Sequence, residues 1–118
     1  LATPRAAVMD RLYACRCLAK HGDKSDIDLL EKSCLDDVTV YGQVQVDGQF
    51  VTNQMRDVGL ACLVLIADQE PVDFGFDRFT PDRHLAFDVN SLGFRDEQGR
   101  QAAINQWREY QTRTANAE

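Results

Sequence analysis

This chain lacks long hydrophobic runs and basic runs, and it holds only 3 prolines and 2 histidines. Each shortage excludes something. The longest apolar stretch, Val58–Ala67, is far shorter than the ~20 residues a helix needs to cross a bilayer, so no membrane insertion is expected. Lysine and arginine total 13 against 19 acidic residues, a net charge of −6, and they nowhere form a run. Nucleic acid is therefore not an expected partner, because phosphate binding needs a concentrated basic surface; an anionic membrane surface is disfavoured likewise. The acidic groups Asp23/Asp26/Asp28, Asp36/Asp37 and Asp68/Glu70/Asp73 lack calcium-loop spacing and read as caps and turns. No metal spacing of cysteine and histidine, no phosphate-cradling glycine loop and no serine-centred nucleophile elbow is present. His21 falls at a helix end, where positive charge is welcome, and His84 in a loop. Cys17 and His21, four apart, would share a helical face, but nothing supplies a third, orienting group. No catalytic residue, metal or cofactor is expected, and the chain does not read as an enzyme.

What is present is a mainly helical pattern in one domain of 118 residues. Residues 4–20 form a first helix, with Thr3 as cap and Pro4 in the first turn. Val8, Leu12, Cys15 and Ala19 make one stripe, and other apolar residues cover most remaining sides. Gly22 stands where a left-handed stop is wanted. Ser25 begins an amphipathic second helix on Ile27, Leu30 and Cys34. Over residues 38–52 the period falls to two, and Asp47-Gly48 is a strong hairpin turn. Residues 53–67 read as a central helix, apolar on nearly every side and hence buried between neighbours. Gly59 in its middle predicts the close approach of another helix. Phe74-Gly75-Phe76 to Phe79 forms an aromatic turn that lids the core. Thr80-Pro81 could start a short helical turn. A last helix, 96–113, is capped by Asp96 and carries Ala103, Ile104, Trp107, Tyr110 and Thr114 inward.

The 4 cysteines fall in these helices in apolar company. Cys15 and Cys17 point about 200° apart on a helix and cannot bond readily. The four read as small buried hydrophobes; the alternative is a disulfide between helices, Cys34 with Cys62 or with Cys15.

Three segments carry a resemblance: Pro4–Ala19; Gly22-Asp23 with Leu29-Leu30-Glu31; and Met55-Arg56-Asp57-Val58 with Leu60-Ala61. Together they resemble HEAT-type repeats, in which an inner helix opens with a hydrophobic residue and arginine, and an outer helix follows a Gly-Asp turn. Arg5 and Arg56 lie 51 positions apart, beyond the usual repeat of ~40–47 residues, and the insertion at 38–52 accounts for the excess. The tail through Phe94 to Trp107 is similar to the C-terminal segment of exported bacterial proteins with HEAT-like cores. This resemblance implies an extracytoplasmic location and a place at the C-terminal end of a longer protein. It also implies an apolar N-terminal flank open to self-association.

The expectation is therefore a mainly α, HEAT-like stack of helical hairpins with a β-hairpin-like insertion around 38–52. Its parts are a helical hairpin (4–37), the insertion, a central helix (53–67), and an aromatic loop with a capping helix (68–118). Such a fold is expected to act as a non-catalytic interaction or scaffolding module, on a protein partner or on the upstream part of its own chain. Arg5, Arg56, Tyr41, Gln43, Gln45 and Gln49 are the expected contact residues, Arg56 with an equal claim to a structural role. The alternative is a small-molecule-binding or enzyme-accessory domain with a groove under the aromatic loop 74–79.

Overall fold

A computed structural model describes residues 5–82 and 86–117, and side chains for 7–82 and 86–114. The expected cap Thr3, Pro4 and the loop residue His84 lie outside the described residues. Helix α1 spans Arg5–His21 and α2 spans Ile27–Cys34. Strands β1 (Val40–Val46) and β2 (Gln49–Gln54) form an antiparallel hairpin that runs directly into α3 (Met55–Ile66). A second, short pair follows, β3 (Pro81–Asp82) with β4 (Ala86–Phe87), and then α4 (Glu97–Ala117). The protein is mainly helical with a small two-stranded sheet, as the sequence predicts. No described helix is long and apolar enough to cross a membrane.

Helix α3 is the centre. Every residue from Met55 to Val64 is buried, and α1 and α2 both pack against it. Its composition explains this, since an apolar stripe wider than one face can be satisfied only by neighbours on several sides. Gly59 is the point of closest approach: a Cβ there would lie 2.5 Å from the Cβ of Cys34 on α2. The chain also closes the N-terminal end of α3 with itself. Met55 and Arg56 N–H groups donate to the carbonyls of Thr39 and Asp37, both at 2.9 Å, and Gln54 N–H donates to Asp57 Oδ2 at 2.9 Å. Donors that the helix cannot satisfy internally are thus partnered. The cap is Gln54, the extended last residue of β2.

Other expectations are revised. Helix α1 buries one stripe, Val8, Leu12 and Cys15, while Met9 and Tyr13 are exposed; α3 is its chief neighbour, so its far side stays wet. Gly22 is not left-handed. Its N–H donates to Leu18 O at 2.7 Å, and a Cβ would stand 2.5 Å from that oxygen, so closeness demands the glycine. Ser25 lies inside a short 3-10 turn capped by Asp23, whose Oδ1 accepts from Ser25 N–H at 2.8 Å. Pro81 opens β3 instead of a helical turn; Pro81 pairs with Phe87 and Asp82 with Ala86. On α4, Ala103, Ile104 and Trp107 are buried and Thr114 is exposed.

Aromatic rings join α4 to the body. Phe74 and Phe76 turn inward, flanking Gly75 at φ 95°. Phe74 meets Trp107 at 6.3 Å between centroids and Tyr110 at 6.1 Å edge-on, and Phe76 meets Phe94 at 5.1 Å. Such offset and edge contacts add to the area these rings bury.

Candidate interaction surface

The hairpin is the largest feature that stands out from the helices. Its turn, Asp47-Gly48, has φ of 52° and 80°, positive at both central residues as in a type I′ turn, whose twist matches the strands. The register pairs Gln43 with Thr52, Val44 with Val51 and Gln45 with Phe50. Side chains alternate across a strand, so Gln43, Gln45, Phe50 and Thr52 share the outer face. Val44, Val51 and Asn53 share the inner one, where Val51 and Asn53 are buried. Phe50 is 66% exposed, the most exposed of the large hydrophobic residues among those described. The far edge of β2 is partly covered by a bridge between Thr52 and Phe94. The far edge of β1 has no strand beside it among the described residues.

The hairpin is fastened to the body at several points. Tyr41 Oη donates to the carbonyl of Val89 at 2.5 Å, and burial pushes its pKa above the usual phenolic value. Arg100 Nη2 donates to Thr52 O at 3.2 Å. Gly93, at φ 80°, lies so close that a Cβ would meet Asn53 Oδ1 at 2.6 Å and Thr52 O at 2.9 Å.

Beneath the hairpin, where α3 begins, lies a cluster of charge. Arg100 on α4 grips Asp57 with two bonds, Nε to Oδ1 at 2.7 Å and Nη2 to Oδ2 at 3.1 Å, and both side chains are buried. Glu97 Oε1 bridges the two arginines, at 2.5 Å from Arg56 Nη2 and 3.0 Å from Arg100 Nη1. Arg56 Nε also donates to Gln54 Oε1 at 2.6 Å. Burial pushes the Asp57 carboxyl up, while Arg100, despite its own burial, is held more firmly protonated by Asp57. The forked geometry and the additional bond from Gln54 oppose that effect of burial on Asp57. The Glu97 carboxyl is held down at about 2 by its bond from Gln101 and by the two arginines. Every charge in this cluster has a partner, Glu97 remaining half exposed, so the cluster ties the hairpin and α4 to the start of α3.

The contact residues expected from sequence separate into three groups. Gln43, Gln45 and Gln49 are exposed on the hairpin, but Gln49, paired with Val46 at the tip, belongs to the other face. Tyr41 and Arg56 are turned inward and bound to the protein itself. Arg5 lies in α1, and its side chain falls outside the described residues. Sequence reading missed Phe50, Arg100 and Glu97. Phe50 carries a signal that could have found it, being two residues past the turn and one register step from the buried Val51. Arg100 and Glu97 carry none for their link to α3, because Asp57 and Arg56 are 43 and 41 residues away.

The loop 74–79 borders a cavity of about 300 Å³ walled by Gly75, Asp77, Arg78, Gly93 and Phe94 among others. Its two arginines are engaged: Arg78 Nη2 donates to Leu92 O at 2.7 Å, and Arg95 pairs with Asp47 at 3.2 Å. No group of three or more metal-ligating side chains occurs among the described residues. The four cysteines are free thiols.

Three comparisons with known proteins bear on this surface. No protein-family model matches the chain, no curated protein matches it, and no solved structure matches it.

Proposed function

We propose that this protein is a non-catalytic interaction module with a HEAT-like helical core that receives an extended segment of a protein partner along the free edge of β1. One observation carries the reading. Strand β1, Val-Tyr-Gly-Gln-Val-Gln-Val, has no strand on its far edge among the described residues and carries no charge and no proline. Open edges of this kind are normally blunted by lysine, proline or a bulge, because they template the addition of a strand; here the bulge lies at one end, between Val40 and Gly42. Main-chain bonds would supply affinity, and Gln43, Gln45 and Phe50 on the exposed face would supply selectivity. The anchoring at Tyr41, Thr52 and Gly93 supports the same reading, since a fastened hairpin loses little freedom when it binds.

The test is affinity capture from source cells with wild-type chain beside a Gln43→Lys/Gln45→Lys/Phe50→Ser variant, both checked for equal melting. Hydrogen exchange follows on any recovered complex. A partner lost with the variant, and one that protects the β1 amides, is the expected result. A partner retained by the variant, or no partner at all, overturns the proposal.

A second reading, a small-molecule site under the loop 74–79, is favoured by the cavity beside it. That cavity is at the lower bound of ligand pockets, about 300 Å³, and its arginines already bond carbonyl and carboxylate oxygens. It ranks below the hairpin for that reason.

A further inference from the structure

We propose that Cys15 and Cys34 are a site of reversible oxidation, a dithiol that a disulfide oxidant closes into a covalent bond between α1 and α2. The argument begins with position. The two sulfurs converge from different helices to 3.7 Å, and a disulfide needs about 2.0 Å, so closure requires them to approach by about 1.7 Å. The other two cysteines are placed differently. Cys62 Sγ is directed at the carbonyl of Cys15, 3.2 Å away, and is wholly buried. Cys17 lies two residues along α1, about 200° round the helix from Cys15. Of the two pairings the sequence leaves open, the geometry therefore selects Cys34 with Cys15.

Reactivity favours the same pair. Arg11 sits one turn before Cys15, pairs with Asp37 at 2.5 Å and approaches Ser33 O at 3.5 Å, which sets its guanidinium beside the end of α2. The Cys34 thiol is lowered to about 7 by its contact with Cys15, against the opposing effect of burial and with help from Arg11. Cys15 is pushed up by the same contact and by burial. The guanidinium of Arg11 beside the end of α2 favours Cys34 as the nucleophile and leaves Cys15 as its resolving partner, the division that disulfide exchange requires. Access is better than for Cys62: Cys15 and Cys34 retain 6% and 4% of their surface, against 0%, and Arg11 above them is partly exposed.

The reaction balances with a low-molecular-weight disulfide such as oxidised glutathione. The Cys34 thiolate attacks one sulfur of the oxidant; the oxidant's S–S bond breaks, and its other half leaves as a thiolate that takes up a proton. Cys15 then loses its proton and attacks the Cys34 sulfur, forming the Cys15–Cys34 bond and expelling the second half of the oxidant as a thiol. Two electrons and two protons pass from the protein pair to the oxidant. The product staples the first two helices across the face that α3 supports.

The test equilibrates the full chain in glutathione buffers from reducing to oxidising, quenches it with an alkylating agent under denaturing conditions, and reads intact mass and peptide map. The expected oxidised form has lost two hydrogens, carries two alkylated thiols at Cys17 and Cys62, and yields a Cys15–Cys34 linked peptide. It reverts with dithiothreitol and melts at a higher temperature than the reduced form. Cys62→Ala retains the linked peptide, while Cys15→Ser and Cys34→Ser each lose it. The peptide map of the wild-type chain decides the matter even if a variant fails to fold. Four alkylated thiols throughout the series, or a linked peptide with any other pairing, overturns the proposal.

Discussion

The C-terminal half of α3 places Leu60, Leu63 and Val64 in the apolar core, whereas its first turn buries Arg56 and Asp57 among Gln54, Glu97 and Arg100. Both ends are equally hidden from solvent. The apolar end gains from area removed from water, roughly 1.5–3 kcal/mol for each large side chain, and tolerates exchange among residues of similar volume. The charged end gains little net energy, because removing ions from water offsets much of their attraction. Its contribution is orientation: the fork of Arg100 fixes the angle at which α4 meets α3, and its bond to Thr52 O fixes where the hairpin leaves. One end of the helix makes the core, and the other sets what is attached to it.

Removing one member of the buried pair should have the largest effect. Asp57→Ala strips the buried Arg100 of its forked partner and leaves it only the half-exposed Glu97 and Thr52 O, and a loss of about 3–5 kcal/mol is expected in urea unfolding. The double variant Asp57→Leu/Arg100→Met should recover most of it, and no recovery would mean that the pair contributes stability and not merely orientation. Next comes Leu63→Ala in the apolar half, expected to cost about 3 kcal/mol as lost burial plus cavity. A cost below about 1 kcal/mol would show that this half is loosely packed. Gly59→Ala follows. Helix propensity alone would gain about 1 kcal/mol, but the new methyl would stand 2.5 Å from Cys34 Cβ, so a net loss of about 1–3 kcal/mol is expected from overpacking. A rise in melting temperature would show that α2 can move aside.

The smallest effect is electrostatic. Glu97 is held at about 2, below its ordinary 4.5, so its contribution to stability is complete above about pH 4.5 and is lost as pH falls toward 2. Glu97→Gln should flatten the stability curve across that window. Because the side chain is 54% exposed, the change should be slight and should shrink further in salt. A steeper acid limb in the variant would contradict the assignment of Glu97 as the bridge between the two arginines.

The same contrast explains what could be read in the sequence. The apolar half of α3 announces itself through composition, and Gly59 was legible as a contact point because glycine in a helix otherwise costs stability. The hairpin was legible from Asp47-Gly48 and a period of two, and with it the exposure of Gln43 and Gln45. Such signals are local. Arg56 reads from sequence as equally suited to a surface or a structural role, and only the fold brings Glu97 to it across 41 positions. Tyr41 sits in an alternating strand, yet the bulge between Val40 and Gly42 accompanies its turn toward Val89, 48 residues on. Thr80-Pro81 has the form of a helix start, but Thr80 N–H is taken by Ser91 Oγ at 3.0 Å and Thr80 O by Asp88 N–H at 2.9 Å. Those distant partners draw the segment into β3. Local grammar fails where a longer-range bond outweighs it.

The absence of any linker between β2 and α3, Gln54 passing straight to Met55, has a mechanical consequence. A pull on the hairpin has no slack to take up before it reaches the innermost helix of the domain. Tension would run along β2 into the axis of α3 and be resisted there by the bonds to the carbonyls of Asp37 and Thr39 and by the grip of Arg100. The exposed strands would then not peel away at low load and leave the helices intact. A stretching experiment attached at the hairpin tip should record one rupture, in which the projecting part and the centre give way together.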